Sequence, residues 1–231
     1  MPEIVLIVGI LSPTFWLATL LKRDANKAKV VRLLNWLYFS VAALSFIGLL
    51  LAEKLANINL SGSKQFDYLE LLWGAYLLSR SSEIFIAFLR DALDKVADRD
   101  SDERGKWWPQ GIVDAKNWLV NHQWIATHFN GNKLKNHDRL VLSFRSYFEL
   151  IANFSILYLL TPLSYWKESR MPSGIWESGY FSGVTITTLG YGDITPAHWF
   201  SQFLTVFEVL CGFALIVVCF AIYLQPERKS G

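Results

Sequence analysis

The chain has 231 residues, of which 52% are hydrophobic, 15% aromatic and only 18% charged. Ordinary soluble domains carry about 25% charged residues, so this composition argues against a soluble domain and predicts an integral membrane protein. The net charge of +2 is small, so the position of the charges is more informative than their sum. The sequence shows no metal-ligand spacing, nucleophile–base arrangement or phosphate loop, which argues against an enzyme.

Three segments in the first 90 residues are candidates for membrane spans. Residues 4–21 form an apolar run that is just long enough to cross the hydrocarbon layer, and residues 33–51 form a second. Between them lies a basic cluster at residues 22–32. Basic clusters beside spanning helices favour the cytoplasmic side, so the N-terminus is predicted to lie outside the cell.

The third segment, residues 68–89, contains Arg80 and Glu83. Charges at membrane depth cost several kcal/mol unless they face protein or water, so a soluble or interfacial helix is the alternative to a span. The two residues are three apart and share a helix face, so they can pair with each other or with a neighbouring helix such as the one carrying Asn153. We treat them as a candidate intramembrane charge pair.

Residues 91–139 are predicted to form a helical linker in the cytoplasm or on the membrane surface. Its first part is densely charged, and residues 111–129 form an amphipathic segment that is too polar to cross. Two further apolar runs follow at residues 140–163 and 199–224, each long enough to span. Residues 226–231 form a short tail that carries basic residues and is predicted to be cytoplasmic.

The stretch between the last two spans carries the most specific chemistry. Residues 187–193 have the sequence Thr-Thr-Leu-Gly-Tyr-Gly-Asp, preceded by a segment, residues 176–187, with the length of a short re-entrant helix. A ring of backbone carbonyls can replace the water shell of a cation if successive carbonyls point the same way. That requires a backbone alternating between the two hands, which Gly190 and Gly192 adopt without penalty.

This motif is nearly identical to the TVGYG filter loop of potassium channels, with Leu189 in place of valine. The region from about residue 140 to 224 therefore resembles the potassium-channel pore family. The resemblance implies potassium sites formed by Thr188, Leu189, Gly190, Tyr191 and Gly192. It further implies that Asp193 lies at the outer mouth, that Tyr191 braces the filter from behind, and that Thr187 supports it.

The last apolar run contains two residues that a plain spanning helix does not need. The resemblance places Gly212 at the hinge where inner helices bend, although a glycine can also simply let helices pack closely. Glu208 is ionisable in hydrocarbon and is expected to support the filter by hydrogen bonding to the pore helix. Ile216, Phe220 and Leu224 follow at intervals of four and are predicted to line the cavity and its inner constriction.

The resemblance also bears on topology and assembly. The family places the segment before its outer helix inside the cell, and only a spanning 68–89 segment then keeps the 22–32 cluster cytoplasmic. The predicted fold is an all-α membrane protein with five transmembrane helices and a re-entrant pore helix: a three-helix region at 1–90, the linker at 91–139 and a pore domain at 140–225. One filter strand supplies a quarter of a carbonyl ring, which predicts a homotetramer.

The predicted function is passive conduction of K⁺, the permeant ion, across the cell membrane by a multi-pass protein that contacts membrane lipids and not nucleic acid. A voltage sensor of the usual kind is not expected, because Arg80 is not part of an arginine ladder. Two alternatives remain. One is a subunit of a potassium-uptake transporter, although those carry several degenerate filter copies in one chain. The other is a nonconducting membrane sensor or scaffold with a channel-like fold.

Overall fold

A computed structural model describes residues 28–56, 68–96, 136–168 and 170–223 of the chain. These residues form α-helices, with isolated β-bridges and no named strand among them. The helices are α1 Ala28–Ala56, α2 Tyr68–Val96, α3 Asn136–Leu160, α4 Ile175–Ile186 and α5 Trp199–Tyr223, with a 3₁₀ turn at Leu163–Tyr165.

Three stretches of the described helices are long and apolar enough to cross a membrane: Arg32–Leu55, Arg139–Leu160 and Trp199–Val217. The protein is therefore a multi-pass membrane protein. Helix α2 is not among these stretches, although its 29 residues make it as long as α1. The predicted first span at 4–21 and the predicted surface helix at 111–129 lie outside the described residues, so five spans remain a prediction.

Helix α3 is the centre of the fold, because it packs against α1, α2, α4 and α5. Its face toward these helices is fully buried and includes Leu150, Phe154 and Tyr158. The rings of Phe154 and Tyr158 are tilted by 38° to each other, with 6.1 Å between their centroids. In a membrane, close packing of such large side chains, together with hydrogen bonds between helices, holds the neighbouring helices against α3.

Contacts at the two ends of α3 set the directions of its neighbours. Asn35, near the start of α1, donates to Ser146 in the first half of α3, so these two helices run the same way. Helix α2 runs the opposite way, with Gly74 facing Leu160 at one end and Phe88 grouped with Leu140 at the other. Helix α2 therefore lies alongside α3 over most of its length, although its composition is less apolar.

The element boundaries differ slightly from those predicted. Helix α3 begins at Asn136 rather than at residue 140, and it ends at Leu160, just before Pro162, whose ring blocks further helical hydrogen bonding. The re-entrant helix is Ile175–Ile186, one residue earlier than predicted at each end. Helix α2 continues to Val96, into the segment assigned to the linker.

Candidate functional site

The segment after α4 has an alternating backbone. Thr188 has φ +58°, Gly190 +54° and Gly192 +76°, and these are the positive φ values found among the described residues. Every second residue of the segment therefore adopts the left-handed region. A β-branched residue rarely does so, and strained backbone of this kind concentrates at functional sites.

The C-terminal end of α4 holds the beginning of this segment. The amides of Leu189 and Gly190 both point at the carbonyl of Val184, at 3.0 and 3.4 Å. The Thr187 hydroxyl donates to the Gly183 carbonyl at 2.8 Å, so the predicted supporting residue closes the last helical turn. Unpaired carbonyls at a helix C-terminus carry partial negative charge, which is favourable for a nearby cation.

The side chains of the segment are directed away from the body of the chain. Leu189 is 57% exposed and Tyr191 is 66% exposed. An exposed ring makes little contact with its own chain, so a brace by Tyr191 would have to form against another subunit.

The C-terminal end of the segment is held by hydrogen bonds. A hydrogen bond from the Tyr180 hydroxyl is the main cause that lowers the pKa of the Asp193 carboxyl, so this side chain keeps its negative charge to lower pH. Arg170 Nη1 donates to the Gly192 carbonyl at 3.3 Å. The Lys167 amide donates to the Thr195 carbonyl at 2.9 Å, which ties the chain after the segment to the turn before α4.

Glu208 joins three helices. Its side chain is fully buried in α5. The Tyr158 hydroxyl on α3 donates to Glu208 Oε2 at 2.6 Å, and the Ser182 hydroxyl on α4 donates to Oε1. Ser182 Oγ also lies 3.1 Å from the Ile151 carbonyl oxygen. The Glu208 side chain thus connects α3, α4 and α5, and it stabilises the position of α4.

At Gly212, α5 passes close to the end of α4. A Cβ added there would lie 2.8 Å from the Ile186 carbonyl oxygen and 2.7 Å from its Cγ1. Glycine is therefore needed for packing at this position. Helix α5 runs without interruption through Gly212 to Tyr223.

The predicted lining residues are only partly described. Ile216 is 43% exposed on α5. Phe220 lies in the described part of α5, and its side chain lies outside the described residues, as does the whole of Leu224. The lining face stays a prediction.

Arg80 and Glu83 form part of a buried charge cluster rather than an isolated pair. Arg80 Nη1 lies 2.7 Å from Glu83 Oε2. Arg80 also makes a two-pronged contact with Glu149 on α3, with Nε to Oε1 at 2.6 Å and Nη2 to Oε2 at 3.2 Å. The Tyr38 ring of α1 lies 4.0 Å from the guanidinium carbon. The cluster joins α1, α2 and α3, and all three charged side chains are at most 4% exposed.

Sequence reasoning missed the main partner of Arg80. Glu149 lies in the middle of an apolar run that was assigned as a span, so the rule that flags ionisable residues at membrane depth applied to it as well. Asn153, the neighbour suggested from the sequence, lies one turn further along α3. Tyr158 and Ser182 were also missed, because hydroxyl groups are common in membrane helices and give no signal of their own.

Comparisons with known proteins agree with this geometry. The family described as “Ion channel” matches residues 147–226. Human “Potassium channel subfamily T member 1” is 30% identical over 118 residues, which is 47% of this chain and 10% of that protein. “Inward rectifier potassium channel Kirbac3.1” of Paramagnetospirillum magnetotacticum is 28% identical over 123 residues, 49% of this chain and 38% of that protein.

Residues 147–226 of the chain are thus similar to the ion-channel family, and about half of the chain is similar to curated potassium channels. The chain spans about a tenth of the length of the human relative and less than half that of the bacterial one. No solved structure matches the chain.

Proposed function

We propose that this protein is a subunit of a potassium-selective channel that lets K⁺ pass down its electrochemical gradient. The observation that carries the proposal is the alternating backbone of the filter segment, with positive φ at Thr188, Gly190 and Gly192. This alternation is the conformation that lets successive carbonyls face one axis and replace the ion's water shell. The ion sites proposed here are formed by the backbone of residues 188–192, with Asp193 at the outer mouth.

The conducting unit would be a homotetramer with the filter on its four-fold axis. Two features of the single chain support this. The filter residues are exposed, and α5 has a stripe of exposed apolar side chains at helical spacing. That stripe consists of Trp199, Phe203, Val206, Leu210, Phe213 and Ile216. Such a surface must face either lipid or another subunit. In a tetramer built around the filter, part of this stripe would face lipid and part would contact a neighbouring subunit.

The proposed topology places α1, α2, α3 and α5 across the cell membrane, with the C-terminus in the cytoplasm. Helix α2 is included because its buried charges are paired and because it lies antiparallel to α3. Residues 4–21 would add a fifth span and place the N-terminus outside. This arrangement keeps the proposed division into an N-terminal region at 1–90, a linker at 91–139 and a pore domain at 140–225. Without an arginine ladder, the channel would not be of the usual voltage-gated type.

Two residues of α5 have proposed roles in this channel. Glu208 would hold the pore helix in register through its bonds to Ser182 and Tyr158. Gly212 would be the hinge for opening as well as the packing point described above, since a bend here would move α5 against Ile186. Ile216, Phe220 and Leu224 would line the cavity below it.

Ion flux through reconstituted protein tests the proposal. The protein should pass K⁺ and Rb⁺ far better than Na⁺, and Ba²⁺ should block it. Gly190→Ala should abolish flux and leave the tetramer assembled, because it puts a side chain at a left-handed position. Gly48→Ala is a matched control, since a Cβ at Gly48 meets nothing within 4 Å.

Equal permeability to Na⁺ and K⁺ would contradict a potassium filter. Uptake that saturates and requires a coupled ion would indicate a transporter. Absence of flux from an intact tetramer would indicate a sensor or scaffold.

A further inference from the structure

The outward end of α1 contacts the beginning of the pore helix. Glu53, four residues before the start of the connection to α2, accepts a hydrogen bond from the Ile175 amide through Oε2 at 2.8 Å. Ile175 is the first residue of α4, and its N-cap, Gly174, has no side chain that could cap the helix. The first amides of a helix need an acceptor, and a carboxylate there is also favoured by the helix dipole. Here the cap comes from a residue 122 positions away.

The glycine at position 174 is explained by this contact rather than by its backbone. Gly174 has φ −179° and ψ −170°, an extended conformation that any residue can adopt. A Cβ at this position would lie 2.6 Å from Glu53 Oε2 and 2.7 Å from Glu53 Cδ. Gly174 therefore leaves space for the carboxylate of Glu53.

A second glycine of the pore helix receives a side chain of α1 in the same way. A Cβ at Gly179 would lie 3.0 and 3.1 Å from two ring atoms of Phe46. Gly183, one turn further along the same helix, would meet nothing within 4 Å. The two close contacts with α1 thus fall on the first half of the pore helix, and the glycine nearest the filter is free of them.

We infer that side chains of α1 fit into the spaces left by Gly174 and Gly179 of the pore helix, and that Glu53 is a positioning residue for the filter. This inference rests on the proposed function. Helix α4 leads directly into the filter through Thr187, so a shift of α4 moves the start of the filter. Helix α1 lies outside the matched family region at 147–226. A movement of the N-terminal region could therefore change the filter through α4, without movement of the inner helix.

A double-mutant cycle tests the contact between Glu53 and Gly174. Gly174→Ala alone should lower K⁺ flux by about tenfold or more, because the new Cβ displaces Glu53. In a Glu53→Ala background the same substitution should change flux by less than about threefold, since the obstructing carboxylate is gone. Glu53→Gln, which keeps an acceptor oxygen, should retain more flux than Glu53→Ala. Gly48→Ala on α1, where a Cβ meets nothing within 4 Å, is the matched control and should behave like the wild type.

Two readouts separate positioning of the filter from a purely structural role. The ratio of Na⁺ to K⁺ permeability and the concentration of Ba²⁺ for half-block should both shift in Gly174→Ala and Glu53→Ala, and a loss of assembled protein would change neither. Equal effects of Gly174→Ala in the wild-type and Glu53→Ala backgrounds would overturn the inference that Gly174 makes space for Glu53. Unchanged selectivity and block in both single variants would overturn the positioning role.

The thermal midpoint of the solubilised tetramer provides a second measurement, an arm of the test that does not depend on conduction. It should show the same non-additivity between Glu53→Ala and Gly174→Ala. A wild-type protein without flux would count against the proposed function, and this arm would still support or overturn the contact between α1 and the pore helix.

Discussion

The geometry of the buried cluster of Arg80, Glu83 and Glu149 predicts which of three substitutions destabilises the protein most and which least. The cluster has one positive and two negative formal charges in a site at most 4% exposed. Arg80→Gln removes the cation that contacts both carboxylates. Glu149→Gln and Glu83→Gln each leave one carboxylate opposite the guanidinium, so that the charges balance.

The size of each effect follows from what is left unpaired. Removing one member of a buried ion pair typically costs about 3 to 5 kcal/mol, because the remaining charge has no compensation. We expect Arg80→Gln to fall at the upper end. Glu149→Gln should cost less, because Arg80 keeps Glu83 at 2.7 Å, although it loses its two-pronged partner. Glu83→Gln should cost least, since the two-pronged contact with Glu149 survives.

The assay is the thermal midpoint of the detergent-solubilised tetramer, followed by the loss of its assembled peak. A cost of several kcal/mol corresponds to a fall on the order of 10 °C for a chain of this size. Lys54→Gln, at an exposed position on α1, is the control and should change the midpoint little.

A double-mutant cycle sharpens this prediction. Arg80→Gln combined with Glu149→Gln should be milder than the sum of the two single changes, because the double variant leaves one charge rather than two of the same sign. Strict additivity, with little effect of any single change, would mean that the charges are solvated. The reasoning that places α2 across the membrane would then fail.

Two further predictions concern α5 and the topology. Gly212→Ala should lower the thermal midpoint and the open probability together, because its Cβ would lie 2.8 Å from the Ile186 carbonyl oxygen of α4. If only the open probability fell, the glycine would be needed for bending of α5 rather than for packing. A cysteine at Ser61, in the connection between α1 and α2, should react with an impermeant thiol reagent from outside, and one at Ala28 only after permeabilisation. Labelling of both from the same side would refute the placement of α2 as a span.

The sequence by itself determined the membrane character of the chain and the positive φ of Gly190 and Gly192 in the proposed filter. Both depend on local information. The conformation of residues 188–192 is set by where glycine permits positive φ, and a run of about 20 apolar residues is enough to indicate a span. The alternation at Gly190 and Gly192 could therefore be predicted from the residue types. Thr188, the β-branched member of the alternation, was identified as an ion ligand from the motif, and its strained backbone became visible only in the structure.

The partners of the buried charges were decided by the tertiary structure. A sequence shows which residues are costly to bury, and it does not show which faces of distant helices meet. Arg80 could be predicted to need a partner, but Glu149 is 69 positions away and meets it only because α2 packs antiparallel to α3. The same holds for Glu208, which reaches Ser182 and Tyr158 on two other helices.

The reasons for two glycines were also hidden in the sequence. Gly174 has a backbone that alanine could adopt, and Gly212 lies in an uninterrupted helix, so neither needs glycine for conformational reasons. Each leaves space for atoms from elsewhere in the fold: the Glu53 carboxylate at Gly174 and the Ile186 carbonyl at Gly212. Close approach between elements depends on side-chain volume at one point in space, and that point exists only once the helices have packed.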